Sequence, residues 1–166
     1  MSRQYMIANS AAGLTAAPVK VTTGTAIKTM LQVQAASTVP FVVFAWGISF
    51  DGITAATPVV CELVDTALIA ATVTAHVAAG VQPYGPDQTA STVILGTAAT
   101  GYTATAEGTT TVARLGDLQL VQPTNQWPAQ FPLSREFYVP PSHNLRVRVT
   151  APAAVNALTW VLIEEQ

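Results

Sequence analysis

Phe41-Val42-Val43-Phe44-Ala45-Trp46-Gly47-Ile48-Ser49-Phe50 is the stretch that decides the fold. Large apolar residues (Val42, Phe44, Trp46, Ile48 and Phe50) alternate with smaller ones (Val43, Ala45, Gly47 and Ser49). Period-two alternation belongs to a strand, whose successive side chains point to opposite faces. The bulky row predicts a core-facing side. The small row predicts a side open to a second layer or a neighbouring subunit. Asp51-Gly52 follows and suits a tight turn, since glycine tolerates the positive φ such turns need.

The same pattern extends in both directions. Ile27 to Val33 alternates, as do Val59 to Val64, Arg135 to Val139, Leu145 to Thr150 and Leu158 to Ile163. Val93–Leu95, Val112–Leu115 and Leu118–Val121 read as shorter strands. One segment has a rival reading, because Thr57-Pro58 could cap a helix running toward Ala79. The β-branched residues Val59, Val60, Val64, Thr66, Ile69, Thr72, Val73, Thr74 and Val77 favour strand instead. Between the strands lie two long loops, Gly80–Thr92 and Gln122–Ser134, punctuated by proline and glycine.

About eight or nine short strands separated by turn signals imply an all-β chain, an antiparallel β-sandwich of jelly-roll type. Val42, Phe44, Trp46, Ile48, Leu145, Val147, Val149, Trp160 and Leu162 are the expected core. Arg146 and Arg148 are expected on the solvent side. Residues 25–166 form one domain, without internal repeats or a shift in composition. Residues 1–24 read as an N-terminal arm: the segment to Thr25 is rich in Ala, Ser, Thr and Gly and cannot offset its own ordering entropy. The expectation is that partners order it, with Tyr5, Met6 and Ile7 adding a strand or apolar contact to a neighbouring subunit.

Composition points away from a solitary soluble monomer. Half of the 166 residues are hydrophobic and only 10% are charged, against roughly 25% in an average domain. Ala and Thr supply about three residues in ten, well above ordinary usage. A surface of neutral, easily buried groups suits lateral contact with other subunits. With seven basic and nine acidic residues, the net charge is -2, and the scattered basic residues do not suggest nucleic acid as a partner. No run is long enough to span a bilayer, and the first residues lack the apolar stretch of a signal peptide. The single cysteine, Cys61, excludes an internal disulfide and fits synthesis in a reducing cytoplasm.

Parts for chemistry are scarce. His76 and His143 are the only histidines, and neither has a second ligand at metal spacing, so no metal or cofactor is expected. Cys61 sits on an alternating strand and reads as a small core residue. His143, after Pro140-Pro141, reads as a turn residue. No phosphate loop, nucleophile elbow or HExxH motif is present, and the chain is not expected to be an enzyme. Tyr84, Trp127 and Phe131 sit among prolines in the long loops. They read either as loop plugs or as anchors into a partner, with carbohydrate stacking a further alternative.

Phe44-Ala45-Trp46-Gly47-Ile48-Ser49-Phe50-Asp51-Gly52 followed by Pro58-Val59-Val60-Cys61-Glu62-Leu63 resembles a group of small virion proteins of tailed bacteriophages. Those share a strand ending in a WGISFDG-like sequence and then a PVxVEL-like strand. The resemblance continues through a V-x-P-x-x-x-L-x-V-R run, Val139 to Arg148, and an A-P-x-x-V-N turn, Ala151 to Asn156. It spans residues 25–165 and contains no catalytic motif. It implies a structural subunit at the virion surface, made in the host cytoplasm: a capsid decoration (cement) protein. Such a protein would form homo-oligomers, trimers being expected, and bind the major capsid protein. A tail or fibre component with a receptor- or carbohydrate-binding role is the alternative.

Overall fold

The computed structural model describes residues 3–11, 17–54, 56–86, 89–109 and 111–166. Thirteen strands lie among them: β1 (Arg3–Ala8), β2 (Val21–Thr22), β3 (Lys28–Gln34), β4 (Phe41–Phe50), β5 (Val59–Asp65), β6 (Thr72–Ala75), β7 (Val81–Pro83), β8 (Gly101–Ala106), β9 (Arg114–Val121), β10 (Gln126–Gln130), β11 (Phe137–Val139), β12 (Asn144–Thr150) and β13 (Asn156–Glu165). A seven-stranded sheet has the order β10-β4-β13-β1-β7, with β11 also on β4 and β2 on β13. A six-stranded sheet has the order β6-β8-β3-β12-β5-β9. Each named strand pair is antiparallel. The two sheets enclose one core, so the chain is an all-β antiparallel sandwich, as the alternation predicts. Residues 59–65 and 72–75 are strands, so the helical alternative does not occur.

The core is built from Phe41, Val43, Trp46, Ile48, Val161 and Ile163 of the larger sheet and Leu31, Val33, Cys61, Leu63, Leu145, Val147 and Val149 of the smaller. Four expected core residues are placed differently. The β4–β13 register shifts between Leu162 and Ile163, leaving Phe44 as an extra residue on β4. A bulge of this kind interrupts strict alternation. Phe41 and Val43 therefore face inward before it, Trp46, Ile48 and Phe50 after it, and Val42 and Phe44 are only half-buried on the other side. On β13 the inward residues are Val161 and Ile163, while Trp160 and Leu162 occupy the opposite face. Both rows of β13 are apolar, so alternation alone offers no choice between them.

Arg146 and Arg148 point away from the core, as alternation requires, yet they are 0% and 3% exposed. Arg146 meets chain segments that cross the outer face of β12, and Arg148 meets the neighbouring strand β5. Arg146 donates to the carbonyl of Ile69 at 2.7 Å and lies 3.8 Å from Glu107. Arg148 is held by Glu62 at 3.0 Å. The expectation of solvated charges is corrected: both are buried and paired.

The expected arm also needs correction. β1 pairs with β13 from Arg3↔Glu165 to Ala8↔Trp160, and on its other side with β7. Tyr5 and Ile7 are 1% and 0% exposed in the chain's own core. Residues 1, 2 and 12–16 of that segment lie outside the described residues. Parts of both long loops are strands as well. β7 begins at Val81, and β10 forms the edge beside β4 with Pro128 opposite Gly47. Proline is tolerated there because an edge strand has one side free of ladder bonds. Val93–Leu95 contributes only isolated bridges, and Val112–Val121 holds one strand, β9, rather than two.

Candidate interaction surface

The outer face of the larger sheet follows from the register. Directly opposed residues on neighbouring strands share a face. Trp160 is opposite Gly47 and Ala8, Leu162 is opposite Ala45 and Met6, and Met6 is opposite Gln82. This face therefore carries Met6, Ala8, Val42, Ala45, Gly47, Ser49, Leu158, Trp160 and Leu162, flanked by Gln4, Gln82 and Glu164. The small row of β4 receives the large row of β13. A methyl group on Gly47 would lie 2.7 Å from Cε2 and Cζ2 of Trp160, so the absence of a side chain at 47 is what lets the indole settle on the strand. A glycine in the middle of a ten-residue strand is the one sequence signal for this arrangement.

Phe44, turned outward at the bulge, meets the ring of Tyr84 at 6.2 Å between centroids. Beside Trp160 lies a hollow of about 280 Å³ lined by Met6, Ala8, Pro18, Gly80, Gln82 and Leu158. Of the residues named on this face, Glu164 alone is charged, and it accepts a hydrogen bond from Gln4 Nε2 at 2.9 Å. The result is an apolar and amide face, with Met6 exposed, Trp160 and Leu158 partly so, Ala45 and Leu162 buried, and its one carboxylate engaged.

The six residues marked by the sequence do not gather into one patch. Met6 and Tyr84 belong to this outer face, at 36% and 57% exposed. Tyr5 and Ile7 are committed to the core and cannot serve a neighbour. Trp127 is opposite Ile48, on the inner side of β4 at the sheet edge, and Phe131 packs against the core. The largest contributor, Trp160, was expected inside.

A second cluster gathers three titratable groups, Asp65, Arg114 and His143. Asp65, at the end of β5, is fully buried. It accepts bonds from Arg114 Nη2 at 2.6 Å, from the Ala67 N–H at 2.8 Å and from His143 Nδ1 at 3.0 Å. Burial pushes its carboxyl up, but these bonds outweigh burial and hold it below the ordinary carboxylate range. Arg114 also stacks over Phe137, 5.1 Å from the ring centre. His143 is thus tied to a carboxylate and is more than a solvated turn residue. The nearby Thr66 hydroxyl donates to the Ile69 carbonyl at 2.7 Å. The cluster joins β5, β9 and the 140–144 turn, and its bonds are those of a clamp.

Cys61 is fully buried, and burial first, then the charge of Glu62, pushes its thiol up to about 12. A thiol so rarely ionised is a poor nucleophile. His76 is buried against Tyr102, with ring centres 4.8 Å apart, and its Nε2–H donates to the Ala8 carbonyl at 2.8 Å. Burial lowers its pKa, and that bond offsets part of the shift. Among the described residues, no three His, Cys, Asp or Glu side chains gather closely enough to hold a metal ion. No helix among them is long and apolar enough to cross a membrane.

No protein-family profile, no curated protein and no solved structure matches this chain.

Proposed function

We propose that this chain is a non-enzymatic structural subunit of a bacteriophage virion, a decoration protein that binds the major capsid shell through the outer face of its larger sheet. The observation that carries the reading is the near-absence of charge on that face, with Trp160 and Met6 at its centre. Interface cores are depleted in charge and enriched in aromatics and methionine. The sequence resemblance over residues 25–165 points the same way. Burial at about 25 cal/mol per Å², repeated over many copies, would stabilise a shell even where each contact is weak.

The test is binding to purified particles that lack this protein. Wild-type chain should bind at a fixed copy number over the head. Met6→Lys, which places a charge at a half-exposed position, should bind far more weakly while melting like wild type. Equal binding by Met6→Lys, or no binding to heads, would overturn the proposal. Location at the tail would favour a fibre role, for which the hollow beside Trp160 offers an aromatic wall for a sugar.

A further inference from the structure

The four sheet edges are not alike. In the larger sheet, edge strand β10 carries Pro128, and β7 has three residues and ends in Pro83. In the smaller sheet, β6 has four residues, whereas β9 has eight, Arg114–Val121, and contains neither proline nor lysine. Natural edges avoid pairing with another chain through short length, proline, lysine, a bulge or an inward-pointing charge. β9 is the longest of the four and lacks proline and lysine. Its bulge at Gly116 and its inward-pointing Asp117 lie in its first half, which leaves Leu118–Val121 as a regular stretch without any of these. Only β5 pairs with it among the described residues.

Its side chains sharpen the contrast. Leu115, Leu118 and Leu120 are 53%, 51% and 72% exposed. By register they share the outer face with Val64, Glu62 and Val60 of β5. The two charges of β9 are used within the chain. Arg114 holds Asp65, and Asp117 accepts from Trp46 Nε1 at 3.0 Å on the core side. A charged foreign segment would therefore find no counter-charge on this strand. A second β9, running antiparallel about a two-fold axis, would bring leucine against leucine with no like charges opposed.

We infer that β9 is a self-association edge: two copies of this chain pair β9 to β9, joining their smaller sheets into one continuous twelve-stranded sheet (six strands from each copy). Backbone groups on the free side of the edge gain partners, and the leucine rows cover each other. Such an association is two-fold, in contrast to the trimer suggested by the resemblance. It stands independently of the shell-binding proposal, because it concerns an edge of the smaller sheet and not the outer face of the larger one.

Sedimentation of the full chain over a concentration series should show a reversible dimer. Leu118→Lys places lysine beside Glu62 of its own chain, so the fold should be kept. Dimer dissociation should rise at least about a hundredfold as two lysines face each other near the axis. Leu118→Cys or Leu120→Cys should yield a disulfide-linked dimer on mild oxidation, whereas Val77→Cys, 68% exposed just after β6 at the opposite edge of the same sheet, should not. A monomer at every concentration, a trimer, an oligomer unaffected by Leu118→Lys, or failure of both β9 cysteine variants to cross-link would each overturn the inference. The cross-linking arm keeps the test decisive if Leu118→Lys does not fold.

Discussion

The indole of Trp160 lies so close to the Cα of Gly47 that no side chain fits between them. Gly47→Ala should therefore push Trp160 off the strand, at a cost of about 1–3 kcal/mol, as for other overpacked sites. In Trp160→Ala the added methyl has room, so the two changes should not be additive. A double-mutant cycle by urea denaturation checks this, with a coupling above about 0.5 kcal/mol expected.

Trp46 is the largest fully buried side chain, and its Nε1 donates to Asp117. Trp46→Ala should cost about 3–5 kcal/mol and leave the chain largely unfolded. Trp46→Phe should fold but lose roughly the 1.5–3 kcal/mol of a bond to a charged acceptor. Near-ultraviolet circular dichroism and denaturant midpoints distinguish the two.

Arg148 is buried against Glu62, so Arg148→Ala should destabilise the fold by about 2 kcal/mol or more. A change within about 0.5 kcal/mol, typical of solvated charges, would show that the burial of this pair is not maintained in solution.

The N-terminal strand is part of the sandwich, which reverses the expectation of a detachable arm. Ile7→Ala should cost about 2–5 kcal/mol, and removal of residues 1–9 should strip β13 of one of its neighbours. A truncated chain whose melting profile equals that of the full chain would contradict the β1–β13 pairing.

His76 and Asp65 are two buried groups that contribute to the acid response. His76 has a lowered pKa in the fold, so the unfolded chain binds its proton first, and stability should begin to fall as pH drops below about 6.5. Asp65 is also lowered, so its contribution is complete above about pH 4 and is lost as pH falls through its folded value. His76→Gln should remove the upper limb of the stability-versus-pH curve and Asp65→Asn the lower one, as measured by thermal melts from pH 8 to 3.

The sandwich itself was legible because alternation survives in β4, β5, β12 and β13, and a strand needs little else to declare itself. The choice of inner face was not. One extra residue at Phe44 inverts half of β4, and β13 is apolar on both sides, so nothing local separates Val161 from Trp160. Arg146 looked solvated because the segments that hold it, around Ile69 and Glu107, are distant in sequence, and Arg148 because only the β12–β5 register brings Glu62 beside it. Of the interaction surface, Met6 and Tyr84 were visible as apolar residues without a periodic partner. Trp160 was hidden by the resemblance of its strand to any core strand, with Gly47 the sole clue.

The pairing of Tyr5 with Ile163 sets the order in which the molecule can be completed. Residues near position 5 cannot lock into the sheet until those near 163 have been made, so β1 must wait, unpaired on that side, through the synthesis of nearly everything between them. Closure across so long a stretch of chain is slow by its topology. During that interval the apolar flank of β13's future partner is open to other chains, and the nascent molecule's first hazard is a stranger strand taking the place that its own C-terminal segment will later fill.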